Sequence, residues 1–368
     1  MKTIKRALIS ALLLSAFAVA PAQAQMRPDP NQPDTVLNAA QRQQVIEAML
    51  TELHKSYVFP EQAKNVEAVI RQHQKKGEYD SITSASKLSD VLTAHVFAQT
   101  KDKHLRMFYS AKPIPDEPKD NKPSAEEQAH MLAGMKSQNF GVERVERLPF
   151  NIGYLALHAF APAKEAADTI AAAMTLLAHT DSMIIDLRKN GGGDPATVTL
   201  LASYLLDERT HMTDIYFRNE NRTEQMWSSD VVPGTRFGQK KDVYVLTSKH
   251  TFSAAEDFSY ALKGLKRITV VGETTGGGAH PGDVKRLHTH FAMFIPNGRS
   301  IGPLTKSNWE GVGVAPDVSV SAEDALKTAQ IAILQKLAAT EKNPGKLERI
   351  KDRIAKVDSE NTAGTMAR

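Results

Sequence analysis

From Ala163 onward the chain switches repeatedly between two hydrophobic periods, and this constrains the fold more than its composition does. An amphipathic helical stretch, Ala163 to His179, leads into the continuous apolar run Ser182 to Leu187. A helical stretch from Pro195 to Leu206 follows, then the apolar run Val243 to Thr247. Ser253 to Leu265 reads as another helix and Ile268 to Val271 as another strand, with a closing helix over Ala322 to Ala339. Short apolar runs bounded by turn residues are strands, and strands separated by helices require crossover connections. The expected fold class is α/β, a mixed and partly parallel sheet with crossover helices.

The segment before this core carries a different pattern. Val45, Met49, Leu53 and Tyr57 recur at helical spacing, as do Val66, Val69 and Ile70, and then Leu88, Val91, Leu92 and Val96. Residues 36–103 are therefore expected to form a small N-terminal helical bundle. Leu105, Met107 and Tyr109 alternate as in a strand beginning at His104, and Pro113, Pro115 and Pro118 mark a linker. Residues 104–141 read as strand and linker, with a short helix over Ser124 to Met135. The core spans 142–340 and opens with strands at Val142 to Val145 and Ile152 to Leu157. A glycine loop around 276–282 precedes a strand from His288 to Ile295. Residues 341–368 are polar and charged and read as a polar C-terminal tail. No internal repeat is present.

Lys2, Lys5 and Arg6 precede the apolar run Ala7 to Ala20, and Ala22-Gln23-Ala24 has the small-x-small form of a cleavage site. Residues 1–24 read as a signal peptide, and 25–35 as a proline-rich, disordered leader. The chain has no cysteine, which rules out a cysteine-linked lipid anchor, disulfides and thiolate metal ligands. Its formal charge is +4, and three of those positive charges lie in the signal segment, leaving a mature charge of about +1. The basic residues are interspersed with acids, so nucleic-acid binding is not expected. A bacterial protein, periplasmic or secreted, without a membrane anchor in its mature form fits these features.

Two loops carry candidate chemistry. Ser253, in Lys249-His250-Thr251-Phe252-Ser253-Ala254-Ala255-Glu256, lies where a strand passes into a helix. That position suits a helix-capping serine, and it equally suits a nucleophile, because unsatisfied N–H groups and the helix dipole favour a developing oxyanion. Asn190-Gly191-Gly192-Gly193 also joins a strand to a helix. It serves either as a tight turn or as a source of backbone donors for an anion. It lacks the lysine and spacing of a nucleotide loop. His288 and His290 share a strand face without nearby acids, so neither a metal nor a cofactor is expected.

Four ordered segments carry a resemblance. Ile184-Ile185-Asp186-Leu187-Arg188-Lys189-Asn190-Gly191-Gly192-Gly193, Thr251 to Glu256, Val271-Gly272-Glu273-Thr274-Thr275-Gly276-Gly277 and Asn308-Trp309-Glu310-Gly311-Val312-Gly313-Val314-Ala315-Pro316-Asp317 are similar to motifs of the tail-specific (C-terminal-processing) serine protease family. Together with the helical leader they resemble the branch that shares its core with the tricorn protease and with interphotoreceptor retinoid-binding protein. The resemblance implies a ClpP/crotonase-like core and a serine peptidase. It further implies Ser253 as nucleophile, His104 as base, Glu310 as the acid behind the base, and an oxyanion hole from Gly192 or Gly193 with Ala254. A Ser-Lys dyad is not expected, because Thr275 to His280 contains no lysine and Lys285 lies beyond Pro281 and Gly282. His250 and His280 stay open as alternative bases.

Two departures qualify the resemblance. Lys103 stands where the tricorn-like pattern has a serine, and the stretch between Tyr109 and Gly141 is too short for a PDZ domain. The implied substrate is a peptide or an unfolded protein terminus, with an ester as a further option. The alternative function is a non-catalytic binding module for an apolar ligand or peptide, as in the retinoid-binding relatives. A homo-oligomer stays open.

Overall fold

The computed structural model describes residues 32–116 and 124–359. The signal segment, most of the leader, part of the proline-rich linker and residues 360–368 lie outside them. In chain order the N-terminal part holds helices α1 (Ala39–Ser56), α2 (Pro60–Lys75) and α3 (Ala85–Thr100), strand β1 (Arg106–Tyr109) and α4 (Ala125–Ser137). The core begins with β2 (Val142–Leu148), β3 (Ile152–Leu157), α5 (Ala163–Leu177), β4 (Ser182–Asp186) and α6 (Pro195–Ser203). It continues through β5 (His211–Phe217), β6 (Arg222–Trp227), β7 (Asp242–Thr247), α7 (Ala254–Gly264) and β8 (Thr269–Gly272). The last elements are β9 (Gly282–His288), β10 (Phe291–Pro296), β11 (Gly298–Ile301), β12 (Val318–Ser319), α8 (Ala325–Thr340) and α9 (Pro344–Ser359).

Local chemistry sets the helix starts. Asn38 and Gln41 cap α1 reciprocally, Ser124 and Glu127 do the same for α4, and Pro60 and Pro195 occupy first helical turns where no N–H is needed.

The main sheet has six strands in the order β12-β8-β7-β4-β3-β2. Only the β2–β3 pair is antiparallel; β3, β4, β7, β8 and β12 run parallel. This is the expected mixed sheet. Strands β3, β4, β7 and β8 follow one another across the sheet, so crossovers of one hand put α5, α6 and α7 on the same face. There Leu155, Met183, Ile185 and Val245 pack with Ile170, Val198, Leu201 and Phe258. The alternate residues Tyr154, Ile184, Leu246 and Val271 point to the other face, which α8 and α9 cover through Ala329, Ile333, Ile350 and Val357.

Helices α1–α3 form the expected bundle, which shares one core with the sheet β1-β10-β9 through Leu53, Leu92, Met107 and Met293. A second small sheet, β11-β5-β6, completes the fold.

The structure corrects three expectations. Residues 344–359 are a helix rather than a polar tail, because Leu347, Ile350, Ile354 and Val357 make a narrow stripe along an otherwise charged helix. The segment 282–296 is a hairpin, β9 and β10 turning at Thr289-His290, where one strand from His288 was expected. The end of the leader is anchored: the Gln32 amide donates to the Tyr109 carbonyl, and Thr35 Oγ1 lies 2.7 Å from the Tyr109 hydroxyl.

Candidate active site

The site assembles at the carboxyl ends of β4 and β7, the usual place for a ligand in a parallel sheet. After β4, Asn190 is fully buried and holds the glycine loop in place. Its side-chain amide donates to the Leu157 carbonyl (2.8 Å), and its Oδ1 accepts from Gly192 N–H (2.8 Å). Its own carbonyl accepts from Phe252 N–H (3.0 Å), tying the loop to the segment that carries Ser253.

After β7, Thr251 Oγ1 donates to the Leu187 carbonyl (2.8 Å), and the chain then turns sharply into α7. Ser253 occupies that turn with φ 55 and ψ −123, a left-handed geometry that costs a non-glycine residue about 1–3 kcal/mol. Such strain concentrates at functional turns, where it presents a side chain away from the strand. A helix-capping serine needs ordinary extended backbone, so capping alone does not account for this conformation.

The glycine loop packs directly on Ser253. A Cβ on Gly192 would lie 2.7 Å from Ser253 Cβ and 3.0 Å from Ala254 N. The N–H groups of Gly193 and Ala254 donate to no other group among the described residues. Gly192 N–H is committed to Asn190, which corrects its expected place in the oxyanion hole: a donor engaged inside the loop is not free for an anion.

Glu256, three residues after Ser253 in the first turn of α7, had no assigned role in the sequence. It is fully buried and clamps the loop that follows β8. Its Oε1 accepts from Thr275 Oγ1 (2.5 Å) and Gly277 N–H (2.6 Å), and its Oε2 from Gly278 N–H (2.8 Å) and Ser253 N–H (2.9 Å). Burial pushes its carboxyl up, and these four donors oppose that rise.

His104 is buried with its ring 4.6 Å from that of Phe252, the residue before Ser253. A Cβ on Gly278 would come within 2.7 Å of His104 Cε1, so the glycine leaves room for the imidazole. Neither ring nitrogen of His104 has a hydrogen-bond partner among the described residues. Burial lowers its pKa to about 4, against the pull of Asp102.

The acid beside His104 is Asp102, not Glu310. Asp102 Oδ1 accepts from the His104 backbone N–H (2.9 Å) and lies 4.0 Å from its Nδ1. Glu310 instead meets His280, with Oε2 3.4 Å from His280 Nδ1, and forms no ion pair with His104. Asp102 Oδ2 receives the Tyr57 hydroxyl (3.2 Å) and lies 2.8 Å from the same His280 nitrogen. Burial works to raise the Asp102 carboxyl, but the hydrogen bond and charge of His280 hold it below the usual range. Burial and then Asp102 push Glu310 up to about 7.

His250 is exposed, whereas His280 is buried at the bundle side with its ring 5.0 Å from that of Phe59. Lys103 Nζ donates to the Gly276 carbonyl. A further trio of half-buried or exposed groups, His73, Glu78 and His95, converges at the far end of the bundle, where Tyr79 Oη lies 2.8 Å from His95 Nδ1. The role of Asp102 was missed in the sequence, and His280 was considered there only as an alternative base; the one signal for Asp102 was its place two residues before His104.

Comparison with known proteins identifies the family. The model of peptidase family S41 matches residues 151–320, and the model of the N-terminal domain of peptidase S41 in eukaryotic IRBP matches residues 35–142. A candidate peptidase from Parabacteroides merdae superposes with a TM-score of 0.53 at 20% identity, covering 79% of this chain and 96% of that one. A lipoprotein from Streptococcus agalactiae gives 0.54 at 13% identity over 83% and 100% of the two chains. Mature CPAF gives 0.50 at 12% identity over 77% and 94%. At these identities the likeness is one of fold.

Proposed function

With the chain a member of peptidase family S41 and a serine-type peptidase, we propose that Ser253 is its nucleophile and His104 its general base. The observation that carries this is the left-handed Ser253 at the start of α7, packed against Gly192 and one residue from the ring that packs at a tilt against His104.

In the reaction His104 takes the Ser253 hydroxyl proton as Oγ attacks the scissile carbonyl. Gly193 N–H and Ala254 N–H stabilise the oxyanion, each such donor contributing about 100- to 1000-fold. His104 then returns the proton to the leaving amine, and water hydrolyses the acyl-serine by the same steps in reverse. The low pKa of His104 keeps it neutral and ready to accept at neutral pH. In the resting geometry Ser253 and His104 are not hydrogen-bonded, as is common before substrate orders a site.

Asp102 is the carboxylate that faces His104, and Glu310 acts behind it. The substrate is a peptide or an unfolded protein terminus, taken up by strand addition at a sheet edge. Residues 1–24 support a periplasmic or secreted location.

The test is labelling of the purified protein with a fluorophosphonate and localisation of the adduct by mass spectrometry. The expected adduct is on Ser253, and Ser253→Ala should lose both labelling and at least about 10,000-fold of peptide hydrolysis while remaining folded. Full activity in Ser253→Ala refutes the assignment.

A further inference from the structure

A polar cluster beside His104 joins three distant parts of the chain. Asp102 comes from the end of the bundle, His280 from the loop after β8, and Glu310 from the closing loop before β12. His280 Nδ1 lies 2.8 Å from Asp102 Oδ2 and 3.4 Å from Glu310 Oε2. A ring nitrogen flanked by two carboxylate oxygens is a donor, so Nδ1 carries hydrogen and is shared between them.

No lysine or arginine pairs with either acid among the described residues. Two carboxylates this close, one buried and one half-buried, repel unless something with a positive or donating edge stands between them. The imidazole supplies that edge. Its ring is set by Phe59 at the start of α2, whose ring is 5.0 Å away and nearly edge-on.

We infer that His280 is a positioning residue, whose imidazole binds Asp102 and Glu310 into one acid unit that orients the His104 base. This rests on the reading of His104 as the base. Asp102 is then the part of the unit that touches His104, through the 2.9 Å bond from its backbone N–H and the 4.0 Å approach to its ring. Glu310 is the remote part, held by Ala279 N–H at 2.6 Å. The Tyr57 hydroxyl, at 3.2 Å from Asp102, closes the unit on the bundle side.

The titratable groups facing His280 are Asp102, its neighbour His104 and Tyr57 on the bundle side, and Glu310 on the core side. Glu256 from α7 acts on Glu310 and Arg106 from β1 acts on His104 through their charge. Burial and Asp102 raise Glu310 to about 7, and the His280 charge opposes that rise. Loss of the imidazole leaves the rise unopposed, so a transition that Glu310 imposes on its neighbours moves to higher pH.

The experiment uses the full chain carrying Ser253→Ala, 15N-labelled at histidine, and follows the His104 ring nitrogens by NMR from pH 5 to 9, alone and with His280→Leu or His280→Asn added. The expected result is a transition near neutral pH that moves up by at least about one unit, a tenfold change in proton affinity, with leucine. Asparagine, which keeps a neutral donor close to the Nδ1 position, brings the transition part of the way back toward wild type. In the active protein, His280→Leu should lower kcat about tenfold or more at pH 7 with KM little changed, and His280→Asn should recover most of it.

A pH profile of the His104 ring nitrogens that superimposes in all three proteins overturns the inference, as does equal impairment by leucine and asparagine. If the wild type carries no fluorophosphonate adduct, the peptidase reading of Ser253 fails, while the NMR titration still decides whether His280 couples Glu310 to His104.

Discussion

Glu256→Gln changes one oxygen to an NH2 group at a point where four donors converge. The wild-type carboxylate accepts from Thr275 Oγ1, Gly277 N–H, Gly278 N–H and Ser253 N–H, two on each oxygen. A glutamine keeps one accepting oxygen and points its NH2 at the other two donors. One or two buried donors are then left without an acceptor, at about 1–3 kcal/mol each. The expected loss of stability is therefore about 2–5 kcal/mol. At about 2–4 °C per kcal/mol for a domain of a few hundred residues, the melting temperature should fall by roughly 4–20 °C. Differential scanning calorimetry measures the first quantity. The rate of fluorophosphonate labelling measures whether Ser253, whose own N–H is one of the four, has lost its orientation. A variant that melts within about 1 °C of wild type and labels at the wild-type rate would show that the clamp does not hold the site, and the argument from converging donors would be wrong.

Three further outcomes follow from the same geometry. Gly278→Ala places a Cβ 2.2 Å from Phe252 Cζ and 2.7 Å from His104 Cε1, so the base must move; kcat/KM for peptide hydrolysis should drop at least about tenfold, and an unchanged value would remove His104 from the site. Glu310 has a folded pKa of about 7, raised from 4.5, so the native state holds a proton that the unfolded chain releases, and stability falls as pH rises from about 4.5 to 7. Glu310→Gln should remove that fall, making the variant more stable than wild type at pH 8 by up to about 3 kcal/mol and by much less at pH 4.5; urea unfolding at the two pH values measures the difference, and identical wild-type and variant pH profiles would contradict it. Ile350, fully buried in α9, should cost about 2–5 kcal/mol on replacement by alanine, read by the same unfolding, whereas a cost near zero would mean that α9 does not cover the sheet.

The sequence was informative wherever a local pattern carried the structure. The runs Ser182 to Leu187 and Val243 to Thr247 became central parallel strands, and the three stripes from Val45 to Val96 became α1 to α3. Local pattern failed where the turn chemistry was quiet: Thr289-His290 reverses the chain without glycine, proline or asparagine, so β9 and β10 looked like one strand. It failed at α9 because four apolar residues among many charges resemble a solvated segment until a sheet face is there to receive them. The site was legible as a set of residues but not as a set of pairings. Asp102 and His280 are 178 residues apart, and nothing in their spacing says that they touch. Motif resemblance attached Glu310 to His104, whereas tertiary packing attached it to His280.

The placement of α5, α6 and α7 on one face has a consequence for the order in which the protein becomes complete. A chain still being made can bury Leu155, Met183 and Val245 as soon as α7 exists, but Tyr154, Ile184, Leu246 and Val271 stay bare until α8 and α9 arrive. Synthesis runs from the N-terminus, and a domain folds as a unit once its elements are present. Ser253 and His104 therefore precede the helices that fix the strands beneath them, and Glu310 also arrives late. A half-made molecule holds the nucleophile without a finished floor. Closure of that second face by α8 and α9 completes the burial of the strands that carry the site.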